Sequence, residues 1–210
     1  MRTIILGKEG DQPFTIKAEG VSRQHARITV NDSDNWTLED LNSTNGTFIR
    51  NENDGELTRV VKCGITPSTF VCLGPDNAKG CCFYARQVLK ENCGNFTKEY
   101  EYLNDKEDEF DTQLDKLEET VSKEKKLIFL INILVVIVSL IRSIDQEIRL
   151  DIFRIVSVVS AGFAAFYDAG GKKKQINARR EKFHHCPNPL CSHKLKTSEI
   201  RDMKCSKCKK

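Results

Sequence analysis

The stretch VSRQHARITV, residues 21–30, places a serine and an arginine just before a histidine and then alternates apolar with polar residues. Such an alternation predicts a β-strand with one buried face. A second stretch, LEDLNSTNGTFI, residues 38–49, carries several hydroxyl groups and the turn pair Asn45-Gly46. Both residues of that pair adopt positive φ at low cost, so the pair marks a tight turn. The two stretches predict neighbouring loops that carry polar side chains.

The rest of residues 1–94 has the same β-rich character. Short runs of Val, Ile, Thr and aromatic residues are separated by Gly, Asp, Asn or Pro clusters, and these runs are TIILG, PFTI, HARITV, NWTLEDL, GTFIR, LTRVVKC, TFVCLG and CCFYARQVL. Many short strands with frequent turn signals predict an all-β sandwich.

These two loops resemble those of the forkhead-associated (FHA) domain, a β-sandwich that reads phosphothreonine peptides. The resemblance rests on residues that fall in register with the family pattern, namely Ser22, Arg23, His25, Asp40, Ser43, Thr44, Asn45, Gly46 and Thr47. It implies a structural role for His25, which would brace the loop from within, and for Asp40 and Gly46, which would hold the loop in shape.

The same residue types suit a phosphate group, which carries nearly two negative charges and three strong acceptor oxygens. Ser22 and Thr44 can each donate a hydroxyl, and Arg23 offers a planar fork of donors. Asn45 can hydrogen-bond the peptide main chain beside the phosphate. At the position where the family has a Gly-Arg pair, this sequence has Gly7 and Lys8, and lysine supplies charge without a bidentate fork.

Residues 95–126 form an acidic segment without proline or glycine. One apolar stripe at helical spacing runs along it, made of Leu103, Phe110, Leu114, Leu117 and Val121. The stripe is compatible with a short coiled coil, and hence a homodimer, although Glu107 and Glu124 would weaken its core. A solvated stalk helix is the alternative.

Two apolar runs, residues 127–141 and 155–167, predict a hydrophobic helical hairpin over residues 127–168 with two short transmembrane helices. A helix needs about 20 residues to cross a bilayer, so the first run is long enough only if flanking lysines and arginine snorkel. Ser157, Ala161 and Ala165 recur at four-residue spacing, which permits close helix packing in a membrane. A soluble hairpin buried against a partner is the alternative.

Positive charge flanks the hairpin on both sides, and residues 169–183 form a basic linker. Because positive segments stay in the cytoplasm, we expect both termini to be cytoplasmic. The combination of an FHA-like domain, a hydrophobic hairpin and a C-terminal zinc ribbon suggests a bacterial inner-membrane protein. A basic segment beside a membrane helix also attracts anionic lipid headgroups, so membrane lipid is an expected partner. Nucleic acid is not an expected partner, because few aromatic residues lie among these basic residues to stack on bases.

Residues 184–210 contain Cys186-x4-Cys191 and, after thirteen intervening residues, Cys205-x2-Cys208. This spacing is typical of a zinc ribbon, and four thiolates fill the tetrahedral shell of a structural Zn²⁺. His184, His185 and His193 are possible substitute ligands, but the four cysteines make them unnecessary, so we interpret them as solvated loop residues.

The remaining cysteines are Cys63, Cys72, Cys81, Cys82 and Cys93. An odd total of nine, together with a start that does not have the pattern of a signal peptide, favours a reducing compartment. We interpret the strand cysteines as small core residues.

Together these modules predict a membrane-anchored signalling adaptor or scaffold that binds phosphothreonine peptides. One alternative is a nucleic-acid-associated protein led by the zinc ribbon, and another is a degenerate FHA scaffold without phosphate dependence. An enzyme is not expected, because no segment offers a nucleophile with a partnered base, a phosphate-binding glycine loop or an open metal site.

Overall fold

The computed structural model describes residues 1–31, 35–75, 79–140, 145–148, 150–151, 154 and 169–210, with the backbone alone at residues 135 and 138–140. These residues fall into two compact units. Unit 1 comprises Met1–Asp108 together with Arg179–Lys210, and unit 2 comprises Glu109–Ala178.

Unit 1 contains two antiparallel four-stranded sheets. The first has the strand order β1 (Arg2–Leu6), β2 (Ala26–Val30), β3 (Trp36–Asp40), β6 (Lys62–Ile65). The second has the order β5 (Leu57–Val60), β4 (Thr47–Arg50), β7 (Phe70–Leu73), β8 (Cys81–Tyr84). The predicted β-sandwich is therefore confirmed.

The core of the sandwich follows the period of two that the strands carry. On β2, Ala26 and Ile28 are fully buried, whereas Arg27 between them is half-buried. The second sheet contributes Val71, Leu73 and Phe83 to the same cluster. Burial of this apolar surface is the main favourable contribution to folding of the sandwich.

Two of the predicted strands differ in the structure. The run PFTI, residues 13–16, is irregular backbone, although Phe14 and Ile16 still point into the core. Pro13 lacks the N–H that a sheet ladder needs, which explains the difference. The run LTRVVKC divides into β5 and β6, which belong to different sheets, and Val61 between them is 75% exposed.

One cysteine interpretation was wrong. Cys72 and Cys82 stand directly opposite each other on β7 and β8, and they form a disulfide rather than two reduced thiols. The pairing register places both side chains on one face of the sheet, where they can meet. The neighbouring Cys81 points to the other face and packs in the core as a free thiol.

Unit 1 contains the 3₁₀ helix Ala85–Val88 and the first turns of α1, which spans Thr97–Leu140. Tyr100 and Leu103 of α1 are buried. Within unit 1 lie the last turns of α2 (Ala169–Phe183) and all of α3 (Thr197–Arg201).

Unit 2 contains the rest of α1 and the beginning of α2, where Lys173 Nζ lies 2.8 Å from Glu118 Oε1. None of the helices in the described ranges is long and apolar enough to cross a membrane. The second apolar run of the hairpin, residues 155–167, lies outside the described residues. The membrane hairpin predicted over residues 127–168 is therefore not confirmed.

Candidate functional site

Three loops of the sandwich meet around Ser22. The amide of Lys8 donates to the carbonyl of Ser22 over 3.1 Å, and the amide of Glu9 donates to the carbonyl of Arg23 over 2.9 Å. Gly7, with φ of 153°, permits this approach, since a Cβ at Gly7 would lie 2.1 Å from the carbonyl oxygen of Arg23. The loop that carries Lys8 is thus fixed against the loop that carries Ser22 and Arg23.

His25 is fully buried between the loop that carries Ser22 and the turn that contains Gly46. The amide of Ser22 donates to Nδ1 of His25 over 3.0 Å, and Nε2 of His25 lies 2.9 Å from the carbonyl oxygen of Gly46. A neutral ring with its proton on Nε2 satisfies both bonds. Burial lowers the pKa of His25, and it outweighs the opposite influences of the Gly46 carbonyl and Asp40. The neutral imidazole therefore links the two loops from inside.

Asp40, at the end of β3, organises the third loop. Its carboxylate accepts hydrogen bonds from the hydroxyls of Ser43 and Thr47, each over 2.6 Å, and from the amide of Ser43 over 3.0 Å. The Ser43 hydroxyl oxygen in turn accepts from the amide of Gly46 over 3.0 Å. Burial opposes ionisation of Asp40, but the hydrogen bonds from Ser43 and Thr47 prevail and lower its pKa. The turn is therefore built around an ionised carboxylate.

The remaining predicted binding residues lie at the surface of these loops. Lys8, Arg23, Thr44 and Asn45 are exposed, and Ser22 is half-buried. The amide of Thr44 donates to the Ser22 hydroxyl oxygen over 3.3 Å, so the two hydroxyl residues are neighbours. Two cations and two hydroxyls on fixed backbone provide donors of the kind that hold a phosphate.

Irregular chain before β2, which includes Glu19 and Gly20, contacts the same loops. Asn45 Nδ2 donates to the carbonyl of Gly20 over 2.8 Å, and Lys8 Nζ donates to the carbonyl of Glu19 over 3.2 Å. The exposed Asn45 amide is thus already paired with a main-chain carbonyl of the chain itself.

Arg59 is a basic residue at this site that the sequence did not reveal. A Cβ at Gly46 would lie 2.5 Å from Nε of Arg59, so the guanidinium approaches the Gly46 turn closely. Arg59 reaches this turn because β5 pairs with β4, where Arg59 stands opposite Phe48. No local signal in the sequence indicates that pairing.

The four C-terminal cysteines come together as a candidate metal centre. Their sulfur atoms all lie within 4.8 Å of one another. The Sγ–Sγ distance is 3.6 Å between Cys186 and Cys208 and 3.9 Å between Cys191 and Cys205. A tetrahedral Zn²⁺ with Zn–S bonds of about 2.3 Å requires edges of about 3.8 Å, so the cluster could hold such an ion.

Glu199 supports the second cysteine pair of this cluster, Cys205 and Cys208. Its carboxylate accepts hydrogen bonds from the amides of Ser206 and Lys196, each over 2.7 Å. These bonds from Ser206 and Lys196 lower the pKa of Glu199 to about 2. His193 Nε2 lies 3.3 Å from the same carboxylate, beside the cysteines.

The interpretation of the histidines as solvated was wrong for His184. This residue is 7% exposed, and its Nε2 lies 2.7 Å from Oε1 of Glu107 on α1. His185 is half-buried, with Nδ1 3.0 Å from a guanidinium nitrogen of Arg50. Both differ from expectation because the cysteine-rich segment packs against the rest of unit 1.

Further contacts fix that packing. The thiol of Cys81 on β8 lies 3.6 Å from the carbonyl oxygen of Pro189, and the hydroxyl of Tyr100 donates to the carbonyl of Lys210 over 3.1 Å. The guanidinium carbon of Arg50 lies 3.6 Å from the ring centroid of Phe70 and 5.4 Å from that of Phe183. The segment therefore rests on the second sheet and on α1.

Comparisons with known proteins concern the N-terminal β-sandwich. Residues 4–62 match the family model of the FHA domain. No curated protein matches the chain.

Similar solved structures include the FHA domain of FhaA in complex with the intracellular domain of Rv3910, with 29% identity, 38% of this chain and 78% of that chain covered, and a TM-score of 0.29. A structure from a study of phosphothreonine-dependent FHA domain interactions has 29% identity, coverage of 38% and 74%, and a TM-score of 0.30. The FHA domain of CT664 from Chlamydia trachomatis has 24% identity, coverage of 38% and 71%, and a TM-score of 0.30. The family match assigns residues 4–62 to an FHA domain, and FHA domains are binding modules that generally bind phosphothreonine peptides in signalling.

Proposed function

We propose that the chain is a signalling adaptor whose FHA domain binds threonine-phosphorylated proteins. In this proposal Lys8, Ser22, Arg23 and Thr44 hold the phosphate, and Asn45 holds the peptide main chain. The observation that carries the proposal is the link through His25, which fixes the Ser22 loop to the Gly46 turn while the donors around it remain at the surface.

Rigid loops favour this function for a physical reason. A ligand that binds pre-formed loops does not have to order them, so less of its interaction free energy is lost. The phosphate adds nearly two negative charges, which the exposed Lys8 and Arg23 complement.

Binding of the full-length protein to a degenerate phosphothreonine peptide library tests the proposal, with the unphosphorylated library as reference. We expect phosphate-dependent binding that the double substitution Arg23→Ala, Asn45→Ala abolishes. Lys90→Ala, which also removes an exposed charge, is the matched control and should leave binding intact. Equal binding of both libraries would contradict recognition of phosphothreonine and favour an FHA scaffold without phosphate dependence.

The membrane anchor with both termini in the cytoplasm remains part of the proposal. It is supported by large apolar side chains that α1 exposes, namely Leu127 (57%), Phe129 (64%), Leu130 (61%), Leu134 (60%) and Val136 (57%). Exposed apolar patches of this kind mark contacts with lipid or with another protein. Retention of the full-length protein in carbonate-washed membranes would support the anchor, whereas a detergent-independent soluble dimer would replace it with a protein contact.

We also propose that the four cysteines hold a structural Zn²⁺. The sulfur distances given above and the filled shell of four thiolates support a structural ion over a catalytic one.

A further inference from the structure

A cavity with a volume of about 710 Å³ lies at the end of the sandwich where α1 begins, and all of its lining residues belong to unit 1. Strand β3 starts beside this cavity at Trp36 and ends at Asp40, around which the turn that contains Gly46 is built. A strand advances about 3.3 Å per residue, so the length of β3 separates the cavity from the candidate phosphate site by about 13 Å. The cavity is therefore a second feature, distinct from the phosphothreonine loops.

Aromatic and aliphatic side chains form much of the cavity wall. They are Trp36 from β3, Tyr84 from β8 and Tyr102 from α1, together with Pro67 and Leu89. The rings of Tyr84 and Tyr102 are in edge contact, with their centroids 6.0 Å apart. Because aromatic rings pack well against each other in stacked or edge-on arrangements, such a wall favours a flat, ring-shaped group.

Two charged side chains of the lining, Arg86 and Glu99, are buried, with exposed fractions of 12% and 1%. Nε of Arg86 lies 3.6 Å from Oε1 of Glu99, which also accepts a hydrogen bond from Nε2 of Gln87 over 2.7 Å. Nη2 of Arg86 donates to Oδ1 of Asn92 over 3.2 Å. Within the described part of the chain, neither Nη1 of Arg86 nor Oε2 of Glu99 has a hydrogen-bond partner.

These two atoms define the chemistry that would satisfy them. A buried donor or acceptor without a partner is costly, so a ligand that supplies both partners gains from the pair. It must accept a hydrogen bond from Arg86 and donate one to Glu99. A carboxamide does both from one planar group, because its carbonyl oxygen accepts and its N–H donates.

The charge of the lining favours a neutral ligand. The charged lining residues are Glu52, Arg86, Lys98 and Glu99, whose formal charges sum to zero. A charged ligand would lose its hydration in this cavity without a surplus of opposite charge to compensate. The other polar lining residues are uncharged, namely Thr66, Ser68 and Asn92.

We propose that this cavity binds a small, neutral, planar molecule that carries a carboxamide beside an aromatic ring. Its carbonyl oxygen accepts from Nη1 of Arg86, its N–H donates to Oε2 of Glu99, and its ring packs beside Trp36 and Tyr102. The site does not depend on the proposed binding of phosphothreonine, and it lies where α1 meets the FHA domain.

Three probes of the same shape and different charge test the site, namely benzamide, benzoate and benzamidinium. Benzoate places a second acceptor opposite Glu99, and benzamidinium places a second donor opposite Arg86. Full-length, ¹⁵N-labelled protein is titrated at about pH 8, because burial raises the pKa of Glu99 and the alkaline solution keeps its carboxylate ionised. Trp36 is the single tryptophan and lines the cavity, so its one indole N–H resonance reports occupancy.

We expect benzamide to shift the Trp36 resonance with a Kd of about 1 mM, a value suited to a molecule of this size. Benzoate and benzamidinium should bind at least about tenfold more weakly, because each leaves one buried group facing a group of its own kind.

Glu99→Gln should invert this preference. The glutamine oxygen can keep the hydrogen bond from Gln87, and its NH₂ group then faces the ligand together with Arg86. Both protein groups donate in this variant, so benzoate should become the preferred probe. Glu101→Gln is the matched control, because it removes an exposed carboxylate of the same helix outside the lining, and it should keep the preference for benzamide.

Ser68→Phe provides an independent variant at an exposed position of the lining. The added ring fills the cavity from its edge and should abolish binding of all three probes. The Trp36 resonance of each variant without a probe shows whether the sandwich is folded.

Three results would overturn the assignment. The first is no shift of Trp36 with benzamide, which would mean that water alone satisfies Arg86 and Glu99. The second is equal affinity for the three probes, which would show apolar partitioning without recognition of the carboxamide. The third is a preference for benzamide that survives Glu99→Gln or Ser68→Phe.

Discussion

Nε2 of His25 lies 2.9 Å from the carbonyl oxygen of Gly46, 21 positions further along the chain. On the opposite side of the ring, the amide of Ser22 donates to Nδ1. One buried side chain thus determines the spacing between the hydroxyl of Ser22 and the turn that carries Asn45. In the proposed complex, this spacing separates the contact of Ser22 with the phosphate from the contact of Asn45 with the peptide main chain.

Replacement of His25 should therefore destabilise the sandwich. His25→Ala leaves the Ser22 amide and the Gly46 carbonyl without their partner, and each buried unsatisfied group costs about 1–3 kcal/mol. We expect the free energy of unfolding to fall by about 2–4 kcal/mol. Trp36, the single tryptophan and 5% exposed, reports urea unfolding of this domain by fluorescence.

His25→Gln is the matched variant, because the side-chain amide of glutamine can still donate a hydrogen bond to the Gly46 carbonyl. It should recover part of the stability lost in His25→Ala. Equal stability of the alanine variant and the wild type would show that the ring does not brace the loops.

The lowered pKa of His25 predicts a pH dependence. The unfolded chain binds a proton at His25 near its ordinary pKa of 6.5, whereas the folded protein keeps the ring neutral to lower pH. The stabilisation is therefore complete above pH 6.5 and is lost as the pH falls toward the pKa of the folded state. In urea titrations followed by Trp36, His25→Gln should show a smaller loss of stability below pH 6.5, and an unchanged slope would contradict the assignment.

Lys8 stands where the resemblance to the family implies an arginine. Lys8→Arg should strengthen binding of a phosphothreonine peptide about threefold to tenfold, because a guanidinium can donate two parallel hydrogen bonds to a phosphate. Anisotropy titrations of the full-length protein measure the change, with Lys90→Arg as the control for added surface arginine. Weaker binding by Lys8→Arg would mean that the contact of Lys8 with the Glu19 carbonyl matters more than contact with the phosphate.

The pairing of Glu107 with Arg180 should contribute strongly to the stability of unit 1. Nε of Arg180 lies 3.0 Å from both carboxylate oxygens of Glu107, whose side chain is 2% exposed. Arg180→Ala leaves a buried carboxylate with fewer partners and should lower the free energy of unfolding by about 3–5 kcal/mol.

Lys173→Ala is the matched control on the same helix α2. It removes the Lys173–Glu118 pair, in which both side chains are more than half exposed, and it should produce no measurable change. Equal effects of the two substitutions, measured by urea unfolding with far-UV circular dichroism, would show that burial does not distinguish the pairs.

Metal content provides a direct test of the cysteine cluster. Native mass spectrometry should find one zinc ion per chain, which Cys205→Ser should remove, because a three-thiolate shell binds the ion more weakly. Cys63→Ser is the control, since Cys63 is a free cysteine outside the cluster. Chelation should lower the thermal midpoint, because the buried Leu195 and Ile200 lie in the chain segment that the two cysteine pairs enclose. Full zinc content in Cys205→Ser would contradict the four-cysteine site.

Local patterns predicted much of this structure. The alternation in residues 26–30 reflects a half-buried strand, and the Asn45-Gly46 pair reflects a turn with positive φ at Gly46. The spacing of the four cysteines likewise reflects two short cysteine pairs, whose sulfur atoms all lie within 4.8 Å of one another. Each of these signals lies within a few residues of chain, so the sequence displays it directly.

Features that depend on distant pairing could not be predicted in this way. Glu107 was interpreted as a residue that weakens a coiled coil, but it is buried with Arg180 and His184, 73 and 77 positions away. The Cys72–Cys82 disulfide likewise depends on the register of β7 and β8. Such partners leave no local periodicity, because their contact exists only after the chain has folded.

Unit 1 is assembled from two stretches of chain that residues 109–178 separate. The two stretches recognise each other through buried ionic, aromatic and thiol contacts, much as two subunits of a heterodimer do. A chain cleaved within residues 109–178 would therefore leave a pair of fragments with an interface already made. The intervening segment could change its length or sequence in evolution without altering the residues that bind phosphate or metal, whereas loss of the last 32 residues, 179–210, would uncover the second sheet of the FHA domain.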